Sequence, residues 1–172
     1  GNPLNPAGHR TAYLWEQVWA RESWLEILGR YLIAQRDKKK QIREVIFPRY
    51  HQLDVTRKLQ AAVLGDGPGG KYLVQHSAGS GKTNSIAWTA HFLAELHDAG
   101  HKKMFDTVLV VSDRNVIDAQ LQEALFDFQR TSGVVATITN KDGSKSGKLA
   151  EALSGDKKIV VCTIQTFPFA LE

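Results

Sequence analysis

The chain has 172 residues, 42% of them hydrophobic and 23% charged, with only 5 prolines. That supports one domain with a real core, or a domain plus an appendage, and excludes wholesale disorder. The formal charge is +4, and Arg36, Lys38, Lys39, Lys40 and Arg43 less Asp37 already supply it. The remainder is close to neutral, so net charge alone argues for no nucleic-acid partner, and the basic run itself reads as a solvated helix face or linker. A single cysteine, Cys162, excludes an internal disulfide and a Cys-based zinc site. No secretory or membrane-spanning stretch stands out, so the expected location is cytoplasmic, with no membrane association.

The first third reads as helices. Leu14, Trp15, Val18 and Trp19 fall at helical spacing. A second helix is expected from Ser23, where Glu26 completes a capping-box pattern ahead of Ile27, Leu28, Tyr31 and Leu32. Pro48 opens a third helix over 49–64, with Gly65 as its stop and 65–70 as a glycine-rich loop. From Lys71 short apolar runs alternate with helices: strands are expected at 72–75, 107–111, 134–138 and 159–164, and helices at 82–98, 115–130 and 148–153. Runs such as Val108-Leu109-Val110-Val111 have no polar face, as in parallel strands covered on both sides. Such alternation predicts an α/β sandwich with right-handed crossovers. Cys162, inside the run 159–164, then reads as a small buried hydrophobe.

The sharpest motif is His76-Ser77-Ala78-Gly79-Ser80-Gly81-Lys82-Thr83, between an expected strand and an expected helix. That is the setting of a P-loop. Gly79 and Gly81 permit backbone conformations closed to other residues, and N–H groups at the positive end of the following helix point at a polyphosphate. Ala78, Gly79, Ser80, Gly81, Lys82 and Thr83 form the phosphate site, with Lys82 reaching the β- and γ-phosphates and the Thr83 hydroxyl ligating Mg²⁺. The pattern has one departure: His76 stands where the first glycine is usual. A GTPase is disfavoured, because Asn140-Lys141-Asp142 brings its Asp one residue early for a guanine-reading motif and sits in a turn-like loop. A small-molecule kinase is disfavoured because a long segment precedes the loop. Upstream, Gln52 at the head of a helix has the paired donor and acceptor that match the N6/N7 edge of adenine.

Arg49-Tyr50-His51-Gln52, the loop 76–83, Val110-Val111-Ser112-Asp113-Arg114, Gln120-Leu121 and Thr163-Ile164-Gln165-Thr166-Phe167 occur in an order that resembles the superfamily-two translocases. Specifically, the chain resembles the restriction (R) subunits of type I restriction-modification enzymes, over about residues 11–169. The stretch 11–16 and the helix at 24–32 look like the segment that joins nuclease and motor in such subunits.

The resemblance implies an α/β fold: a RecA-like P-loop parallel sheet flanked by helices, as a partial first motor lobe over 46–172. An N-terminal helical extension covers 1–45. It implies an ATP-dependent type I deoxyribonuclease that couples ATP hydrolysis, with Mg²⁺, to translocation along double-stranded DNA before cleavage. Modification and specificity subunits would be its partners. Lys82 and Thr83 would be catalytic and Gln52 would contact adenine, while Asp113, Arg114, Thr163 and Gln165 would lie along the DNA track. Loops after parallel strands are where such ligands collect, and those groups grip phosphates. Asp113-Arg114 also reads as an N-cap and surface charge for the next helix, and the two roles are compatible.

A motor of this kind needs an acidic Asp-Glu box and an arginine finger from a second lobe. No Asp-Glu pair occurs in the chain. Its ends therefore read as those of a piece cut from a longer protein, with the box and the nuclease carboxylates elsewhere. The piece alone is expected to bind nucleotide weakly at best and neither to hydrolyse ATP nor to cut DNA. Two rivals stay open: a superfamily-two repair or remodelling ATPase without a nuclease, and a P-loop switch that moves no DNA.

Overall fold

A computed structural model describes residues 4–37, 39, 41–113, 119–128, 133–138 and 145–164. The chain divides into two compact units, Gly1–Val55 and Thr56–Glu172.

The first unit opens with a π-helical turn, Leu14–Val18, where the Trp19 N–H donates five residues back to the Leu14 carbonyl at 2.7 Å. Helix α1, Arg21–Glu26, runs directly into a second π-helical turn, Ile27–Tyr31, closed by Leu32 N–H on the Ile27 carbonyl at 3.3 Å. Ser23 lies inside α1 and Ala20 is its N-cap, so the Ser23–Glu26 pattern does not start the helix.

Two antiparallel strands follow, β1 (Ile33–Arg36) and β2 (Ile42–Ile46), where a helix face or linker was expected. Ile27, Tyr31, Ile33 and Leu53 form the buried centre of this unit. Beside them is a cavity of about 250 Å³ lined by Trp19, Trp24, Phe47, Pro48, Tyr50 and others. Ring pairs brace its wall: Tyr13 meets Tyr50 edge-on at 5.0 Å, and Trp24 meets Phe47 at 5.6 Å. Helix α2, Tyr50–Asp66, contains the division between the units. It outruns the expected stop at Gly65 and ends at Gly67, whose φ of 75° is the left-handed conformation that terminates helices at glycine.

In the second unit a parallel three-stranded sheet has the order β3-β5-β4, with β3 at Val108–Ser112, β4 at Val135–Thr137 and β5 at Ile159–Thr163. Helices α3 (Lys82–Ala94), α4 (Ala119–Asp127) and α5 (Lys145–Ser154) complete it. The period of two sorts the side chains of β5. Ile159 and Val161 join the core with Ala87, Ala90, Ala94, Leu121 and Leu125 from α3 and α4. Val160 and Cys162 face the opposite cluster, with Leu149 of α5. Every residue of β5 is buried, because both its edges are paired and both its faces are covered. Burial pushes the Cys162 thiol pKa up, in keeping with a packed apolar role.

The α3–α4 seam is closed by aromatics. Phe128 meets Trp88 edge-on at 6.3 Å and Phe92 at 5.8 Å, and the buried His91 donates from Nε2 to the Leu125 carbonyl at 3.0 Å.

The expected strand at 72–75 does not form. Residues 71–77 belong to no strand, and Leu73 is 93% exposed. A strand exists only through its neighbour, and this run has none among the described residues. What ties it down is a side chain: Tyr72 donates its phenol O–H to Asp66 Oδ2 at 2.8 Å, and that bond raises the Tyr72 pKa above its ordinary value.

Candidate nucleotide site

The loop 76–83 is built around two backbone conformations. Gly79 has φ 73° and Gly81 has φ 79° with ψ 38°, the left-handed region that costs an L-residue with a side chain about 1 kcal/mol or more. These are the two positions of the motif where glycine is required. His76 is not among the described non-glycine residues with positive φ, of which His101 is the example, so its local conformation needs no glycine. That removes the physical objection to the departure from the usual pattern.

Gly81 is the N-cap of α3, and no side chain caps the helix. The first intrahelical bonds run from the Asn84 and Ser85 N–H groups to the Gly81 carbonyl, at 3.2 and 3.4 Å. The Lys82 and Thr83 amides therefore head the helix ahead of its ladder. The first turn carries a lysine and no acid, so dipole and side chain both present positive potential to an anion.

Lys82 is exposed. Its ammonium donates to the carbonyls of His76 at 3.2 Å and Ser77 at 3.0 Å, across the mouth of the loop. Ser80 N–H donates to the Ser77 carbonyl at 3.4 Å and tightens the same turn. An ammonium that donates to two neutral carbonyls can exchange them for phosphate oxygens, which add the attraction of opposite full charges to the hydrogen bond. The donor set fits a polyphosphate, and Thr83 has the hydroxyl that a phosphate-bound Mg²⁺ takes from such loops. Among the described residues there is no group of three or more His, Cys, Asp or Glu that could hold a metal ion.

Gln52 lies in the first unit and is 3% exposed. Its Oε1 accepts the Arg49 N–H at 2.8 Å, while its own N–H donates to the Arg49 carbonyl at 2.9 Å. This is one half of a capping box, with Arg49 in the N-cap place and the Gln52 side chain reaching back to it from three residues on; the Arg49 side chain has no acceptor to return the bond. The sequence reading missed it because that box is usually announced by Ser or Thr.

The register of the sheet sets Ser112 beside Thr163 at the carboxyl ends of β3 and β5, with Asp113 exposed one residue beyond. Thr163 is only 4% exposed. Arg114 and Gln165 lie outside the described residues.

A parallel sheet with helices on both faces, and a glycine-shaped loop opening into an uncapped helix headed by Lys-Thr, define a P-loop α/β nucleotide-binding domain of RecA-like type. The model of the SWI2/SNF2 ATPase family matches residues 51–171. The chain belongs to that family, and so to the superfamily-two, helicase-like ATPases that use ATP with Mg²⁺. No curated protein and no solved structure matches it. No helix among the described residues is long and apolar enough to cross a membrane.

Proposed function

We propose that the chain is the ATP-binding part of the motor subunit of a type I restriction enzyme, whose ATP hydrolysis drives movement along double-stranded DNA ahead of cleavage. The observation that carries this reading is the ordered series Gln52, 76–83, Asp113-Arg114 and Thr163-Ile164-Gln165, preceded by the stretch 11–16. Family membership supports its ATPase half.

In this reading the triphosphate enters the loop 78–83. Lys82 leaves the His76 and Ser77 carbonyls for the β- and γ-phosphates, and the Thr83 hydroxyl ligates the accompanying Mg²⁺. The ion supplies charge neutralisation on the phosphates when bound. Gln52 contacts adenine. Asp113, Arg114, Thr163 and Gln165 follow the DNA backbone. No Asp-Glu pair is present to position a hydrolytic water, so residues 1–172 alone hold nucleotide without turning it over. The partners are DNA and the modification and specificity subunits, in the cytoplasm.

The test is ATP hydrolysis by the full-length protein, assembled with its partner subunits, with and without duplex DNA. Alongside it runs displacement of a triplex-forming strand from a distant site. Strong stimulation by duplex, triplex displacement and DNA cleavage are expected. Stimulation and displacement without cleavage would establish a repair or remodelling motor instead, a reading that the SWI2/SNF2 match also favours. ATP binding with no DNA stimulation would make the chain a nucleotide switch.

A further inference from the structure

The cavity of the first unit takes no part in the phosphate site. Its walls all lie between Tyr13 and Leu53, within that unit. Tyr50 and Leu53, one turn apart on α2, line it, and Gln52 does not. Five of its ten lining residues carry aromatic rings, so it is a built aromatic chamber and not a chance gap between aliphatic side chains.

Size, polarity and shape select an occupant. The volume of about 250 Å³ exceeds the ~150 Å³ that encloses one benzene ring and falls short of the ~300 Å³ at which drug-sized sites begin. A bicyclic molecule fits between those limits. No lining residue is charged, so a charge taken in would lose its hydration without gaining a partner. The walls are ring surfaces. Trp24 and Phe47 lie 5.6 Å apart and 33° from parallel, a broad apolar face, whereas Tyr13 and Tyr50 meet at 69°. A flat guest can therefore rest on ring faces and meet ring edges, the two arrangements aromatic rings prefer.

The chamber is also formed and open before a guest arrives. The Tyr50 phenol donates to Gln17 Oε1 at 2.9 Å, which fixes the Tyr50 ring. Ile27 and Leu53 are buried, while Trp19 and Phe47 are exposed at the mouth. Leu14 and Val18 come from the first π-helical turn and Ile27 from the second. Such turns are rare and concentrate at functional sites.

We propose that this cavity binds a neutral, planar, bicyclic aromatic molecule, at a site separate from the phosphate loop.

The experiment titrates 2-naphthol into the 172-residue chain and follows it by ligand-detected NMR, beside its saturated counterpart decahydro-2-naphthol and its charged counterpart 2-naphthoate. 2-Naphthol should bind with a Kd of about 1 mM or tighter. The saturated alcohol should bind about threefold to tenfold more weakly, and 2-naphthoate about tenfold or more weakly. Phe47→Leu, at an exposed wall position, should lose about threefold to tenfold. Val18→Trp fills the cavity from a half-buried position and should abolish binding. Trp15→Leu removes an exposed ring outside the cavity and should bind like the unaltered chain. The proposal is overturned if 2-naphthol does not bind, or if either counterpart binds as tightly. It is also overturned if Phe47→Leu and Val18→Trp both keep the affinity, or if Trp15→Leu loses as much as they do. Displacement of 2-naphthol by ATP would overturn it too, since the cavity would then belong to the nucleotide site. The two sites separate if Lys82→Ala loses ATP binding and keeps 2-naphthol; a chain that binds 2-naphthol but no ATP removes the P-loop reading and leaves the cavity.

Discussion

Lys82 bends back over its own loop, its ammonium 3.0 Å from the Ser77 carbonyl. Both partners belong to one loop and the bond spans its mouth, so the cation is held where a phosphate would enter. Binding then replaces one set of acceptors with a stronger one instead of ordering a solvated side chain.

For this reason Lys82→Ala should weaken ATP or ADP binding to the chain by about tenfold to a hundredfold, the loss expected for a charged hydrogen bond of about 1.5–3 kcal/mol. Lys82 is exposed, so the denaturation midpoint should barely move. Calorimetric titration with Mg²⁺ and nucleotide is the check, and undiminished binding would mean that the phosphate site is elsewhere.

Gln52 is a buried cap before it is anything else. Gln52→Ala leaves the Arg49 N–H without its acceptor and should cost about 1–2 kcal/mol in urea denaturation. Gln52→Glu keeps the acceptor and removes the amide donor. It places a carboxylate at a buried position and so should also lower stability, while losing preference for ATP over GTP. Unchanged stability in Gln52→Ala would dismiss the capping account, and unchanged preference in Gln52→Glu would dismiss the adenine role.

Cys162 reports on the sheet. It is fully buried in β5, so it should react with a thiol reagent only as the sheet opens, and slowly compared with the same chain in denaturant. Its folded pKa is raised. The sign follows: the thiol's contribution to stability is complete below the unfolded value of about 8.5 and is lost as pH rises from there through the raised folded value. Cys162→Ala should flatten that alkaline fall in the denaturation midpoint. A fall of the same steepness in the variant would assign it to other groups.

Tyr72 and Asp66 give a second alkaline signal. Their hydrogen bond raises the phenol pKa, so Asp66→Asn should bring one tyrosine of the four back toward about 10. The difference titration near 295 nm, variant against unaltered chain, would show it. Coincident curves would mean that the bond does not persist in solution.

Which features the sequence disclosed depends on how local their causes are. The run 159–163 was legible because a strand buried on both faces must be apolar throughout, and Gly79 and Gly81 because their φ values exclude most other residues. Residues 72–75 have the same apolar character, yet no pairing partner for them exists among the described residues, and partnership is not written in a short segment. The hairpin was missed because Asp37 and the lysines are poor strand formers, while its strand signal rests on only a few residues, Ile33, Ile42, Val45 and Ile46. The cap at Gln52 escaped for a related reason, since Arg49 supplies only backbone.

The place of β5 in the sheet has a consequence for the order in which the molecule can assemble. β3 and β4 precede it in the chain, yet among the described residues neither pairs with the other and each pairs with β5. During synthesis both earlier strands therefore emerge without a ladder partner. The sheet closes in one step when Ile159–Thr163 arrives between them, after the closure entropy of both intervening loops has been met. Until then the apolar faces of β3 and β4 are exposed together, and that interval is when the chain is most open to aggregation or to capture by a chaperone.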